Sequence, residues 1–256
     1  IRSFASSSTD PAYVGEIAPA PAKFPQAASV HCMARYTSGT ANIHIDQFEP
    51  EPSGEHPALL VLHGSGGAAS YWMSRFAPSL RDAGVAIYAP HYFDKTATTR
   101  ATAAMILDGR HFAAWLKAIE DAVSYVCERS CVDPARIGVL GISLGGYLAV
   151  GLGIQDRRIR AVVELSGGVP LGWEDRMPLE MAPTLVLHGE RDDVVPVAEA
   201  YKLQALLQQR RVRHEVAIFP NQTHWFSGTA QAELLVRCAA FLDRHLFHAQ
   251  VLRKAG

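Results

Sequence analysis

Six short apolar runs, at residues 58–62, 85–88, 137–140, 159–165, 184–187 and 216–219, recur along this chain with longer segments of helical periodicity between them. Runs this short, rich in Val, Ile and Leu and bounded by turn residues, are strands buried on both faces, and such strands belong to parallel sheets covered by helices. Between the second and third runs, Phe112, Trp115, Leu116, Ile119, Val123 and Val126 repeat at helical spacing, which predicts a long helix with one apolar face. Further helices are expected over 144–152, 197–209 and 229–245. The alternation predicts an α/β fold with a right-handed, doubly wound sheet. Ahead of it, residues 30–36 and 42–48 flank the turn residues Ser38 and Gly39 and predict an antiparallel edge hairpin.

The 256 residues, 48% of them apolar, suffice for one substantial core, so a single domain over 29–248 is expected. Residues 1–28 carry Pro11, Pro19, Pro21 and Pro25, which break regular structure, and read as an extended surface arm; 249–256 read as a tail. About eighteen residues separate Leu165 from Thr184, too few for a lid domain. A formal net charge of −1 offers no electrostatic attraction for nucleic acid or anionic lipid. No apolar run approaches the roughly 18 residues that span a bilayer, and residues 1–26 lack the charged-then-apolar order of a secretory signal. A cytoplasmic location is expected, with a periplasmic or secreted one if a leader has been removed; self-association is left open. Of the four cysteines, Cys32 and Cys238 are expected in the core, while Cys127 and Cys131 flank a helix end where a local bridge is open to them under oxidising conditions. No second Cys or His pair stands near them at metal-ligand spacing, and neither a metal nor an organic cofactor is expected.

The third apolar run leads into Gly141-Ile142-Ser143-Leu144-Gly145-Gly146. Glycines two positions either side of a serine let a strand turn sharply into a helix, with the serine held in a sparsely populated backbone conformation at the turn. Ser143 is therefore the candidate nucleophile. A serine hydroxyl is a weak nucleophile near neutral pH and needs a histidine as base and a carboxylate to orient that histidine. In a parallel sheet, ligands bind beyond the carboxyl ends of the strands, so the partners belong in loops that follow strands. Asp192 stands in such a loop, after residues 184–187, with Asp193 as its rival for the role. His224 stands in the loop after residues 216–219. His214 begins a strand, and His245 and His248 lie in or after the last helix. For an oxyanion hole, the backbone N–H of Leu144 begins the nucleophile helix, and that of Ser65, with Gly66 second, lies in the glycine-rich loop His63-Gly64-Ser65-Gly66-Gly67. This loop lacks the lysine and the spacing of a phosphate-binding P-loop.

Ser143, Asp192 and His224 in that order, the Leu62-to-Gly67 loop, and Gly189-x-x-Asp192 before Val194-Val195-Pro196 resemble the α/β-hydrolase superfamily, and within it the dienelactone hydrolase-like branch. The likeness covers about residues 30–245. Dienelactone hydrolases carry cysteine as nucleophile; position 143 is serine. The resemblance therefore implies a general serine esterase acting on small or short-chain acyl esters through an acyl-enzyme, rather than hydrolysis of a dienelactone. Aromatic residues near the same loops, Trp72, Tyr92, Trp173 and Trp225 above all, are the expected substrate contacts. A peptidase or polyester depolymerase with the same triad, or a non-catalytic binding member of the fold, are the alternatives.

Overall fold

The computed structural model describes residues 31–50, 54–67, 77 and 80–247. The expected arm, the tail, His248 and Trp72 lie outside the described residues. Eight strands form one sheet: β1 (His31–Ser38), β2 (Ala41–Phe48), β3 (His56–Leu62), β4 (Ala86–Pro90), β5 (Val132–Ile142), β6 (Ile159–Leu165), β7 (Thr184–Gly189) and β8 (His214–Phe219). Their order across the sheet is β1-β2-β4-β3-β5-β6-β7-β8. The first two pairings are antiparallel and the rest parallel, as the edge hairpin and the buried apolar runs predict.

Among the described residues there are five α-helices of five residues or more: α1 (Ala103–Leu107), α2 (Arg110–Cys127), α3 (Leu144–Gln155), α4 (Ala198–Gln209) and α5 (Gly228–Leu242). Helix α2 begins where the Asp108 carboxylate accepts the free N–H groups of Arg110 and His111, at 2.9 and 3.0 Å. Its apolar stripe, centred on Trp115, Ile119 and Val123, joins residues of α3 and α4 in the core on one face of the sheet. Helix α5 packs on the other face, where Phe241 and Leu242 meet Leu59, Val163 and Leu185. The last helix differs from expectation: the α-helix stops at Leu242 and a π-helical turn follows over Asp243–Phe247. Its Leu246 packs where β5 has Gly138 rather than a side chain.

The cysteines depart from expectation in one respect. Cys238 is buried as predicted, but Cys32 lies exposed on the edge strand β1, where alternation turns it to solvent. All four are free thiols, Cys127 and Cys131 included. Among the described residues, no helix is long and apolar enough to cross a membrane.

Because β3 and β5 to β8 run parallel, the loops that follow them gather at one edge of the sheet. That edge receives all three residues singled out for chemistry. Trp115 secures the neighbouring region: it is fully buried, its indole N–H donates to Thr96 Oγ1 at 2.8 Å, and its ring lies 4.8 Å from that of Phe93. Truncation to alanine would open a cavity and remove the indole hydrogen bond to Thr96. We expect Trp115→Ala to lower the unfolding free energy by about 3–5 kcal/mol, read from the denaturant midpoint.

Candidate active site

Ser143 sits between β5 and α3 with φ 57° and ψ −120°, a conformation seldom adopted by a residue bearing a Cβ. Two hydrogen bonds at 2.8 Å hold it there: its N–H donates to Leu165 O, and its carbonyl accepts from Gly146 N. The flanking glycines are required by space. A Cβ at Gly145 would collide with the Leu62 carbonyl oxygen and lie 2.6 Å from that of His63, while one at Gly141 would collide with Gly145 itself. Leu144 opens helix α3, so its N–H has no intrahelical acceptor and points toward the helix N-terminus with the dipole behind it.

The loop after β3 runs alongside Ser143. A Cβ placed on Gly64 would lie 3.3 Å from Ser143 Cβ and 3.8 Å from its Oγ, so the loop borders the hydroxyl directly. The Ser65 carbonyl accepts from Ala101 N at 2.8 Å, and among the described residues its own N–H meets no backbone acceptor. Beneath the loop, the His63 ring stacks on Tyr92 at 4.1 Å and meets Phe93 edge-on at 4.7 Å. Burial holds the His63 imidazole neutral, with its pKa pushed down to about 4.

Two of the aromatic residues expected to touch substrate have other surroundings. Tyr92 is fully buried and donates its hydroxyl to the His63 carbonyl at 2.5 Å, so it supports the loop from below. Sequence shows an aromatic near a strand end, but not which way the following 3-10 turn (Tyr92–Thr96) rotates it. Trp173 lies edge-on to Phe112 at 6.2 Å with the Arg176 guanidinium 4.8 Å above its ring. It also approaches Gly151, two turns along α3 from Ser143. Trp225, by contrast, is 59% exposed and stands edge-on to the His224 ring at 5.0 Å.

Asp192 and His224 meet. His224 Nδ1 lies 2.8 Å from Asp192 Oδ2, with both side chains almost wholly buried. The other carboxylate oxygen, Oδ1, accepts the N–H groups of Val194 and Val195 at 2.9 and 2.8 Å, which fixes the acid in its own turn. Asp193 is exposed. The two loops are stitched together by Glu190 N to Phe219 O at 3.0 Å and Arg191 N to Gln222 O at 2.8 Å. Their approach requires glycine at 189, where a Cβ would collide with Thr223 O and lie 2.6 Å from Gln222 O. Among the described residues, no hydrogen bond joins Ser143 Oγ to His224; the bond that His224 makes is to Asp192. His224 and Trp225 border a cavity of about 400 Å³ whose walls include Ile142, Leu165 and Phe226. A larger cleft of about 760 Å³ opens at the opposite end of the strands, beside Asp133 and Arg213, away from every candidate residue. His214 bonds the Val212 carbonyl at 2.7 Å and His245 packs on Phe241, both remote from this edge. Among the described residues, no three His, Cys, Asp or Glu side chains group as metal ligands.

Residues 45–241 match the family model described as dienelactone hydrolase family. The chain is 26% identical over 174 residues to the uncharacterized peptidase YuxL of Bacillus subtilis (strain 168), a match covering 54% of this chain and 26% of that protein. It thus spans about a quarter of the length of that relative. Among solved structures, a dienelactone hydrolase-like promiscuous phosphotriesterase from metagenomic libraries superposes with a TM-score of 0.72 at 20% identity, covering 84% of this chain and 97% of that one. The acylaminoacyl peptidase of Pyrococcus horikoshii superposes with a TM-score of 0.72 at 17% identity, covering 85% of this chain and 42% of that one. At these identities the two superpositions establish the α/β-hydrolase fold.

One buried acid near the strand-to-helix turn at Ser143 belongs to no motif in the sequence. Glu164 of β6 is fully buried; one carboxyl oxygen accepts the Gly167 N–H, and the other has no partner. It lies under the first turn of α3, where a Cβ at Gly146 would stand 3.1 Å from its Oε1. Burial pushes its pKa up to about 8, aided by the nearby negative charge of Asp192. The folded chain therefore keeps a proton that the unfolded chain releases near pH 4.5, and the associated stability is lost as pH rises from about 4.5 to about 8. Glu164→Gln keeps the shape without the ionisation. In thermal melts from pH 5 to 9, the variant should gain on the wild type up to about pH 8 and then hold a constant lead. Parallel curves would show that Glu164 ionises freely in the fold.

Proposed function

The chain belongs to the dienelactone hydrolase family, and we propose that it hydrolyses small or short-chain carboxylic esters through Ser143. The observation that carries this reading is the strained Ser143 at the start of α3, on the same sheet edge as a buried His224–Asp192 pair at 2.8 Å. Asp192 Oδ2 accepts from His224 Nδ1–H, which leaves Nε2 as the basic nitrogen. On substrate binding, Nε2 takes the proton from Ser143 Oγ as that oxygen attacks the ester carbonyl carbon. The tetrahedral oxyanion is held by the N–H groups of Leu144 and Ser65. Its collapse breaks the bond to the alcohol oxygen, which leaves with the proton from His224. Water then attacks the acyl-enzyme by the same route, with His224 again as base, and releases the acid and free Ser143. The hydrogen bond between Ser143 and His224 closes with substrate in place, as catalytic contacts of empty sites commonly do.

An exposed Trp225 against the base supports an acyl or alcohol contact there. The segment 166–183 holds a single 3-10 turn, Glu174–Arg176, and contributes no cap, which favours small substrates reached from open solvent.

The experiment is a panel of p-nitrophenyl esters graded by chain length, with peptide and phosphotriester substrates beside it. Wild-type turnover should be greatest on the short esters, and Ser143→Ala should lose at least about 10⁴-fold in kcat. Equal turnover by both proteins would remove Ser143 as nucleophile; turnover confined to peptides would make the protein a peptidase. No turnover and no labelling by a fluorophosphonate would make it a binding protein. Asp192→Asn should lose about 10⁴-fold in kcat, while Asp193→Asn stays near wild type. The reverse ranking would exchange their roles.

A further inference from the structure

A second histidine faces Asp192. His188, the penultimate residue of β7, is completely buried, and its Nε2 lies 2.8 Å from the Val195 carbonyl oxygen and 3.3 Å from Asp192 Oδ2. Its Nδ1 is buried without a partner. The placement of the proton follows: a bare Nε2 lone pair set against two oxygens would be repelled by both, so Nε2 carries the hydrogen and Nδ1 does not. Burial keeps the ring neutral. A buried ring nitrogen without a partner is costly, and an apolar side chain would avoid that cost; what His188 adds is the Nε2–H.

The contacts form a continuous chain. Nε2–H of His188 donates to Val195 O, Val195 N–H donates to Asp192 Oδ1 at 2.8 Å, and Asp192 Oδ2 accepts from His224 at 2.8 Å. The turn that carries the acid is thereby fastened to the strand below it. We propose that His188 is a positioning residue for the acid–base pair, holding the turn 192–195 in place and partly neutralising Asp192, so that it limits how strongly Asp192 stabilises a proton on His224. This role rests on the reading of Asp192 and His224 given above. The other ionisable groups around the unit are Glu199 of α4, Glu164 of β6 and Tyr147 of α3. All three remain in every variant compared, so differences belong to His188.

The test reads His224 directly. In protein labelled with ¹⁵N at its eleven histidines, the His224 imidazole is assigned by its loss in His224→Gln and titrated by NMR. Removing a donor from a carboxylate leaves its charge less compensated and favours the protonated neighbour. His188→Leu should therefore raise the His224 pKa by about half to one unit, and His188→Gln, whose amide nitrogen reaches the Nε2 position, should return it toward wild type. On the best ester, His188→Leu should lose about ten-fold in kcat at unchanged KM, the scale of one hydrogen bond to a charged group. The acid limb of its pH profile should move up by the same interval as the titration. If His188→Leu does not fold, His188→Asn, whose amide sits at the Nδ1 position, makes the same comparison with His188→Gln. An unmoved His224 titration in the variant lacking the donor overturns the proposal, as does an equal shift in the variant that keeps it. Should the wild type hydrolyse no ester, the esterase reading falls while the titration still decides the part played by His188.

Discussion

Backbone meets backbone at Gly145 with no room for a side chain, and much of the molecule is arranged around that contact. The first turn of α3 lies against the carbonyls of Leu62 and His63, so β3, β5 and the helix between β5 and β6 are locked at a separation only glycine permits. From this closeness follow the positive φ of Ser143, the placing of the loop after β3 beside its hydroxyl, and the free N–H of Leu144 at the helix start. The strain at Ser143 is sustained by hydrogen bonds to β6 and to the next turn of the helix, two elements fixed by the core on either side.

A second close contact performs the equivalent task for the acid and the histidine. At Gly189 the end of β7 touches the backbone of the loop after β8, and two backbone hydrogen bonds complete the seam. Asp192 and His224 face one another because their loops cannot separate without breaking that seam. Polar groups buried nearby are not all satisfied: Glu164 keeps one oxygen, and His188 one nitrogen, without a partner. Such groups destabilise a fold, and both stand beside the elements that carry the candidate residues, where the need for shaped electrostatics competes with the need for a quiet core.

The support beneath the site is aromatic. Tyr92 and Phe93 press His63 from below while Trp115 presses them in turn, so a chain of packed rings runs from helix α2 to the glycine-rich loop. Rings in this position transmit rigidity to a loop that has little side-chain bulk of its own.

Much was legible in the sequence, since apolar period and turn chemistry are local properties. The run 159–165 coincides with β6, the stripe from Phe112 to Val126 marks the buried face of α2, and the strand-helix alternation gives the parallel sheet with its antiparallel edge. The rule that ligands bind beyond strand ends singled out the loop that carries Asp192 and its rival Asp193, and His224 over His214 and His245; it is the contact with His224 that separates the two acids. What the sequence left undecided was where side chains point once helices and turns are packed. Tyr92 and Trp173 turn into supporting contacts, Cys32 turns outward on an edge strand, and His188 and Glu164 each meet partners in the turn that follows their own strand, once that turn folds back over the strand end. The order of strands along the chain and the chemical types at their ends are written along one dimension; the 2.8 Å between Asp192 and His224 exists because tertiary packing brings two loops together over a glycine.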